Sequence, residues 1–181
     1  LTPGPSIINY TLPTGCVTTH AITVNPLVPV TGRATVCEGA SIALSNVVPG
    51  GTWTTSDPSV ATVSSASGVA TGVSAGSAII SYTNPSGCVA TYIITVNGLP
   101  AGVTGSTAVC EAATTTWGST TTGGTWTSSD PAVATIAPAT GLLSGITAGT
   151  TLVTYTLSTG CASSYLVTVH PLPASVTGSS A

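Results

Sequence analysis

An internal repeat constrains this chain more than any other feature. Gly50-Gly51-Thr52-Trp53-Thr54-Thr55-Ser56-Asp57-Pro58 returns as Gly123-Gly124-Thr125-Trp126-Thr127-Ser128-Ser129-Asp130-Pro131. Val60-Ala61-Thr62-Val63 returns as Val133-Ala134-Thr135-Ile136, and Ser81-Tyr82-Thr83 with Gly87-Cys88 returns as Thr154-Tyr155-Thr156 with Gly160-Cys161. A period of about 73 residues is too long for a solenoid turn and suits a small β-sandwich. The match extends upstream through Asn9-Tyr10-Thr11, Gly15-Cys16 and Ile22-Thr23-Val24-Asn25. Val30-Thr31-Gly32, Val103-Thr104-Gly105 and Val176-Thr177-Gly178 mark equivalent points of three successive repeats. The expected organisation is therefore the second half of a repeat over 1–25, full repeats over 26–98 and 99–171, and the start of another over 172–181.

Short Pro-rich joints separate these units: Asn25-Pro26-Leu27, Asn97-Gly98-Leu99-Pro100 and His170-Pro171-Leu172-Pro173. Proline restricts itself and its predecessor, so the joints should be extended and stiff. Strand patterning fills the space between them. Ala78, Ile80 and Tyr82 share one face, as do Ala90, Tyr92, Ile94 and Val96, with Thr91 and Thr95 on the other. Val153 and Tyr155, then Tyr165, Val167 and Val169, repeat the pattern. Apolar-in, Thr-out alternation predicts an all-β sandwich with one wet face per sheet.

Charge and composition exclude several functions. Charged residues make up 3% of the chain, with no Met and no Phe. Arg33 is the sole Lys or Arg, so no basic patch exists to neutralise phosphates and nucleic acid is not an expected partner. No apolar run is long enough for a membrane-spanning helix.

The order Gly-Thr-Trp-x-Ser-Ser-Asp-Pro-x-Val-Ala-Thr-Val, then a Gly-rich stretch ending in Tyr, then a closing Thr-Val strand, resembles the bacterial Ig-like group 2 domain. Gly51 to Val63, Gly68 to Tyr82 and Ile94 to Val96 carry it, as does the matching stretch from Gly124 to Val169. The two-cysteine version with a Pro-Leu-Pro linker is similar to repeats in giant secreted proteins of Bacteroidota. Trp117 departs from the pattern, standing where the other repeat has Leu44. The resemblance implies tandem immunoglobulin-like sandwiches serving as stalks, adhesin arms or spacers, with no catalytic residues to transfer.

Five cysteines fit the repeat. One pair per full repeat in an extracellular protein predicts disulfides Cys37–Cys88 and Cys110–Cys161, one in each sandwich. Closing a loop of about 50 residues should contribute about 4 kcal/mol. Cys16 is left over and is expected to bond to a missing or neighbouring segment. A metal site is disfavoured, because neither CxxC spacing nor clustered His is present.

The other candidates have plain structural explanations. Trp53 and Trp126 would stack on sugar if exposed, or pack in the core if buried; repetition at one position favours the core. Asp57 and Asp130 in Ser-Asp-Pro turns suit local turn bonding better than catalysis or calcium, which needs several oxygen ligands. His20 falls on a Tyr position and His170 on an Asn position. No nucleophile–base arrangement recurs, so no enzymatic activity and no cofactor are expected. Asn9 heads a sequon, whereas Asn84 is barred by Pro85. Thr114, Thr115, Thr116, Thr120, Thr121 and Thr122 are candidate O-glycan positions, with outward β-propensity as the plain alternative.

The expected function is a structural segment of an extracellular or cell-surface filament or stalk, partnered by further repeats or other copies of itself and by covalent glycans. An adhesin module for a glycan or host receptor is the alternative, and a spacer in a larger secreted enzyme the third reading. Leu1 aligns with Val73 and Ile146 in mid-sandwich, so Ile8, Tyr10, Ile22 and Val24 need upstream sequence or a neighbouring subunit to complete their repeat.

Overall fold

The computed structural model describes residues 2–174; Leu1 and the Val176–Gly178 match lie outside them. Every regular element among the described residues is a β-strand. The chain divides into two compact units between Asn97 and Gly98.

The first residues form one antiparallel hairpin, β1 (Gly4–Thr11) with β2 (Val17–Val24), and pair with no third strand. The first full sandwich follows, with β3 (Thr31–Gly32), β4 (Thr35–Cys37), β5 (Ser41–Ser45), β6 (Thr52–Thr55), β7 (Ala61–Val63), β8 (Val69–Gly72), β9 (Gly76–Thr83) and β10 (Val89–Asn97). One sheet runs β4-β10-β9-β6 and the other β3-β5-β8-β7. β4 lies parallel to β10, placing Cys37 opposite Asn97. The second unit repeats the plan with β11 (Ala108–Cys110), β12 (Thr114–Thr116), β13 (Thr125–Ser128), β14 (Ala134–Ile136), β15 (Leu142–Gly145), β16 (Gly149–Thr156) and β17 (Ala162–His170). Its sheets run β11-β17-β16-β13 and β12-β15-β14.

The alternation read from the sequence sets the core. Ala78, Ile80, Tyr82, Ala90, Ile94 and Val96 are buried in the first sandwich, and Val153, Tyr155, Val167 and Val169 in the second. Each fully buried Val, Leu or Ile contributes roughly 1.5–3 kcal/mol relative to exposure. Across the outer face of the same strands, Ile79 pairs with Ile93 and Leu152 with Leu166. These outward pairs stay exposed, Ile93 at 64% and Leu166 at 58%. The outer face is thus not purely Thr, a departure from the expected pattern.

Trp117 accounts for the main difference between the sandwiches. A Cβ on Gly32 would come within 2.7 Å of Leu44, and one on Gly105 within 2.1 Å of the Trp117 ring. Both glycines therefore let the first strand cross a large buried side chain. Over Leu44 that strand pairs for two residues, whereas beside Trp117 it shrinks to the single bridge Thr104–Gly118. The larger ring is accommodated against Trp126 and Tyr165, at centroid distances of 6.0 and 5.6 Å, and its buried Nε1 has no hydrogen-bond partner.

Candidate functional site

The chemistry-bearing residues of each sandwich gather at its two ends. At the incoming end, a tight turn joins the last two strands and a cysteine follows its glycine. Asn84 N donates to Cys88 O and Gly87 N to Asn84 O; Leu157, Gly160 and Cys161 repeat the arrangement, as do Leu12, Gly15 and Cys16. The glycines hold φ of 84°, 86° and 85°, left-handed values that favour glycine. In the first sandwich Asn84 Oδ1 also accepts from Ser86 N and Cys88 N. Chain arrival is tied to this same end. Asn46 Nδ2 donates to Val28 O, while Ala101 N donates to Thr121 Oγ1. Tyr82 Oη accepts from Gly51 N and donates to Val48 O; Tyr155 Oη accepts from Gly124 N and donates to Thr121 O.

At the outgoing end, β4 and β10 finish together, as do β11 and β17. Glu38 N donates to Asn97 O, and Glu111 N to His170 O. The glutamate side chains fasten this end. Glu38 Oε1 accepts from Ala75 N, and Glu111 Oε1 from Ala148 N, each at 2.8 Å. The other Glu111 oxygen, Oε2, accepts from Leu172 N in the departing linker. Sequence reasoning passed over these glutamates, although Cys-Glu recurs in both repeats as Cys37-Glu38 and Cys110-Glu111.

The expected disulfides Cys37–Cys88 and Cys110–Cys161 do not form. Cys37 and Cys161 are disulfide-bonded, while Cys16, Cys88 and Cys110 are free thiols. Register keeps the expected partners apart. Cys37 lies beside Asn97, nine residues beyond Cys88 along the last strand. At ~3.3 Å per residue that separation is about 30 Å, and a disulfide requires Cα atoms within about 7 Å. Cys110 beside His170 stands in the same relation to Cys161.

Trp53 and Trp126 are core residues, 5% and 3% exposed, each tilted against a buried Tyr at 4.6 and 4.5 Å. Asp57 and Asp130 close their own turns, Oδ1 accepting from Ser59 N and from Ala132 N. The Ser59 hydroxyl and then its amide, both donating to the carboxylate, hold Asp57 below the usual carboxylate range. His20 and His170 are exposed and stand at separate places, on β2 and at the end of β17. Among the described residues no three His, Cys, Asp or Glu gather as a metal site. No helix there is long and apolar enough to cross a membrane.

Asn9 is exposed on β1 opposite Thr19. Thr114, Thr116 and Thr122 are exposed, while Thr115 is half-buried. Thr120 Oγ1 donates to Ala101 O and Thr121 Oγ1 accepts from Ala101 N, so both hydroxyls are engaged with the arriving chain.

No curated protein matches the chain in sequence. Among solved structures it is similar to the C-terminal 282-residue fragment of intimin in complex with the intimin-binding domain of the translocated intimin receptor, at 14% identity and TM-score 0.46. That alignment covers 79% of this chain and 63% of the other, so the chain spans just under two thirds of the intimin fragment. It is also similar to S-layer protein SbsC domains 4 and 5, at 16% identity and TM-score 0.36, over 82% of this chain and 98% of that one. SGBP-B of the Bacteroides ovatus mixed-linkage glucan utilization locus, in complex with a mixed-linkage heptasaccharide, aligns at 15% identity and TM-score 0.29, over 94% and 54%. From the start of β10 through most of β17, residues 89–167 match the family model of the bacterial Ig-like domain (group 2).

Proposed function

We propose that this chain is a non-catalytic structural segment of an extracellular stalk or filament, made of tandem immunoglobulin-like repeats at 1–25, 26–98, 99–171 and 172–181. The observation that carries the reading is the path of the chain through each sandwich. It arrives beside the turn that bears Cys88 or Cys161 and leaves at the opposite end of the last strand, beside Cys37 or Cys110. Modules with opposite termini extend when linked in series, and Pro-flanked joints keep them extended. Oxidised Cys37 and Cys161 suit an oxidising, extracellular setting. The outward Ile79–Ile93 and Leu152–Leu166 pairs, at equivalent places, suit cohesion between neighbouring rods. O-glycans would fit Thr114, Thr116 and Thr122 best, because their outward side chains are exposed. An adhesive module would need another contact surface than Trp53 and Trp126, which the core occupies.

The reading is tested by small-angle scattering on arrays with two, four and eight copies of residues 26–171. The maximum dimension should rise linearly, by roughly 30–40 Å per added repeat, the length of a nine-residue strand plus its joint. Growth as the cube root of mass would show a collapsed cluster and defeat the stalk.

A further inference from the structure

Two loops face each other across the incoming end of the first sandwich, and a cleft of about 470 Å³ opens between them. That volume falls in the range of small-molecule sites, roughly 300–1,000 Å³. The end of β5 and the loop after it supply Ser45, Asn46, Val48 and Pro49 to the lining, and the turn between β7 and β8 supplies Ala66 and Ser67. Leu44 and Trp53, both buried, close the inner side. All of these residues belong to one sandwich.

The walls are fastened by the fold itself. Asn46 Nδ2 donates to Val28 O at 2.8 Å, and its Oδ1 accepts from Val48 N at 3.0 Å. Tyr82 Oη ties Gly51 N and Val48 O together on the same side. On the facing side Leu44 N donates to Gly68 O, and Trp53 N to Ser65 O. Gly68, at φ 70°, lets this turn lie directly on the indole, because a Cβ there would come within 2.7 Å of Trp53 Cε2. A cleft that needs no reordering gives up less binding energy to conformational entropy.

The lining is particular to this sandwich. Gly50, Gly51, Trp53 and Tyr82 recur as Gly123, Gly124, Trp126 and Tyr155, whereas Ser45, Asn46, Val48 and Pro49 give way to Gly118, Ser119, Thr121 and Thr122. Its chemistry selects a class of ligand. No charged side chain lines the cleft, so an ionic ligand would lose hydration without gaining a counter-charge. Apolar surface from Leu44, Val48 and Pro49 lies beside the hydroxyls of Ser45 and Ser67. Ser45, Pro49 and Ser67 are exposed and Val48 is half-buried, so a ligand can reach both kinds of surface. We propose that this cleft binds a neutral sugar, one pyranose unit of a glycan. The apolar C–H face of the ring would rest on Val48 and Pro49, with its hydroxyls toward Ser45 and Ser67. Trp53 keeps its ring in the core, so recognition here does not use stacking on an exposed indole. The site stands within the first sandwich and does not depend on the stalk reading.

The experiment follows backbone amide NMR shifts of the full chain while methyl glycosides of glucose, galactose, mannose and N-acetylglucosamine are added in turn. At least one should saturably shift the amides of Ser45, Asn46, Gly50, Gly51 and Ser67. The dissociation constant should be about 1–10 mM, as suits a ligand of about a dozen heavy atoms. No saturable shift with any of the glycosides, shifts centred elsewhere, or the same shifts with glycerol would overturn the proposal. Ala66→Trp places an indole at the exposed rim and should weaken binding by at least about tenfold, whereas Ala139→Trp, at the equivalent place in the second sandwich, should leave it unchanged. Undiminished binding by a folded Ala66→Trp chain would also overturn the proposal. Mapping on the unaltered chain locates the site even if that variant does not fold. Failure here is distinguishable from failure of the stalk, since scattering length reports extension whether or not a sugar binds.

Discussion

Tyr155 shows how a residue plainly visible in the sequence can do more than its pattern reveals. Its place on an apolar face predicted burial, and its ring does pack on Trp126. Its hydroxyl also accepts from Gly124 N and donates to Thr121 O, fixing the Gly-Gly turn and the arriving chain together. Tyr155→Phe keeps the ring and strands both backbone groups, so it should cost about 1–3 kcal/mol. Urea unfolding of the full chain measures this, and an unchanged midpoint would show that water replaces the hydroxyl. The role of Trp53 and Trp126 was legible because equivalent positions carry the same ring. The hydroxyl's role was not, because its acceptor lies 34 residues away in sequence.

Among the elements, the strands follow from alternation, while their ends depend on single substitutions between repeats. After β4 the chain turns through Gly39 at φ 76°, and after β11 through Ala112 at φ 60°. The turn is the same, since Gly39 N donates to Gly72 O and Ala112 N to Gly145 O. A left-handed Ala costs roughly 1–2 kcal/mol in sterics, partly offset because Gly loses more entropy on folding. Ala112→Gly should therefore stabilise the second sandwich by ~1 kcal/mol, read as a raised melting temperature; a lowered one would mean the turn relaxes around alanine. The sequence shows Gly and Ala at this place but not that the place is left-handed. The shortening of the strand that pairs beside Trp117 likewise depends on which glycine the larger ring sits against.

For the whole molecule, the placement of the cysteines changes what a disulfide does. A staple inside one sandwich would stabilise that sandwich alone, as the spacing led one to expect. Cys37 and Cys88 stand about 30 Å apart in the first sandwich, so its stability rests on the buried core and not on a staple. Cys88→Ala, which removes a free thiol, should therefore change the stability of the full chain by less than ~0.5 kcal/mol in a calorimetric scan. A loss of several kcal/mol would return Cys88 to a staple within its own sandwich.

Period, alternation and punctuation determined the all-β class and the membership of the core, because these depend on local residue order along each strand. Burial of the tryptophans followed from the same local pattern. Which cysteines can meet was decided only by tertiary structure. Parallel pairing of Cys37 with the far end of β10, and of Cys110 with the far end of β17, puts cysteines about 30 Å from the partners that spacing alone suggested. Register between distant strands is a long-range property, and no count of intervening residues contains it.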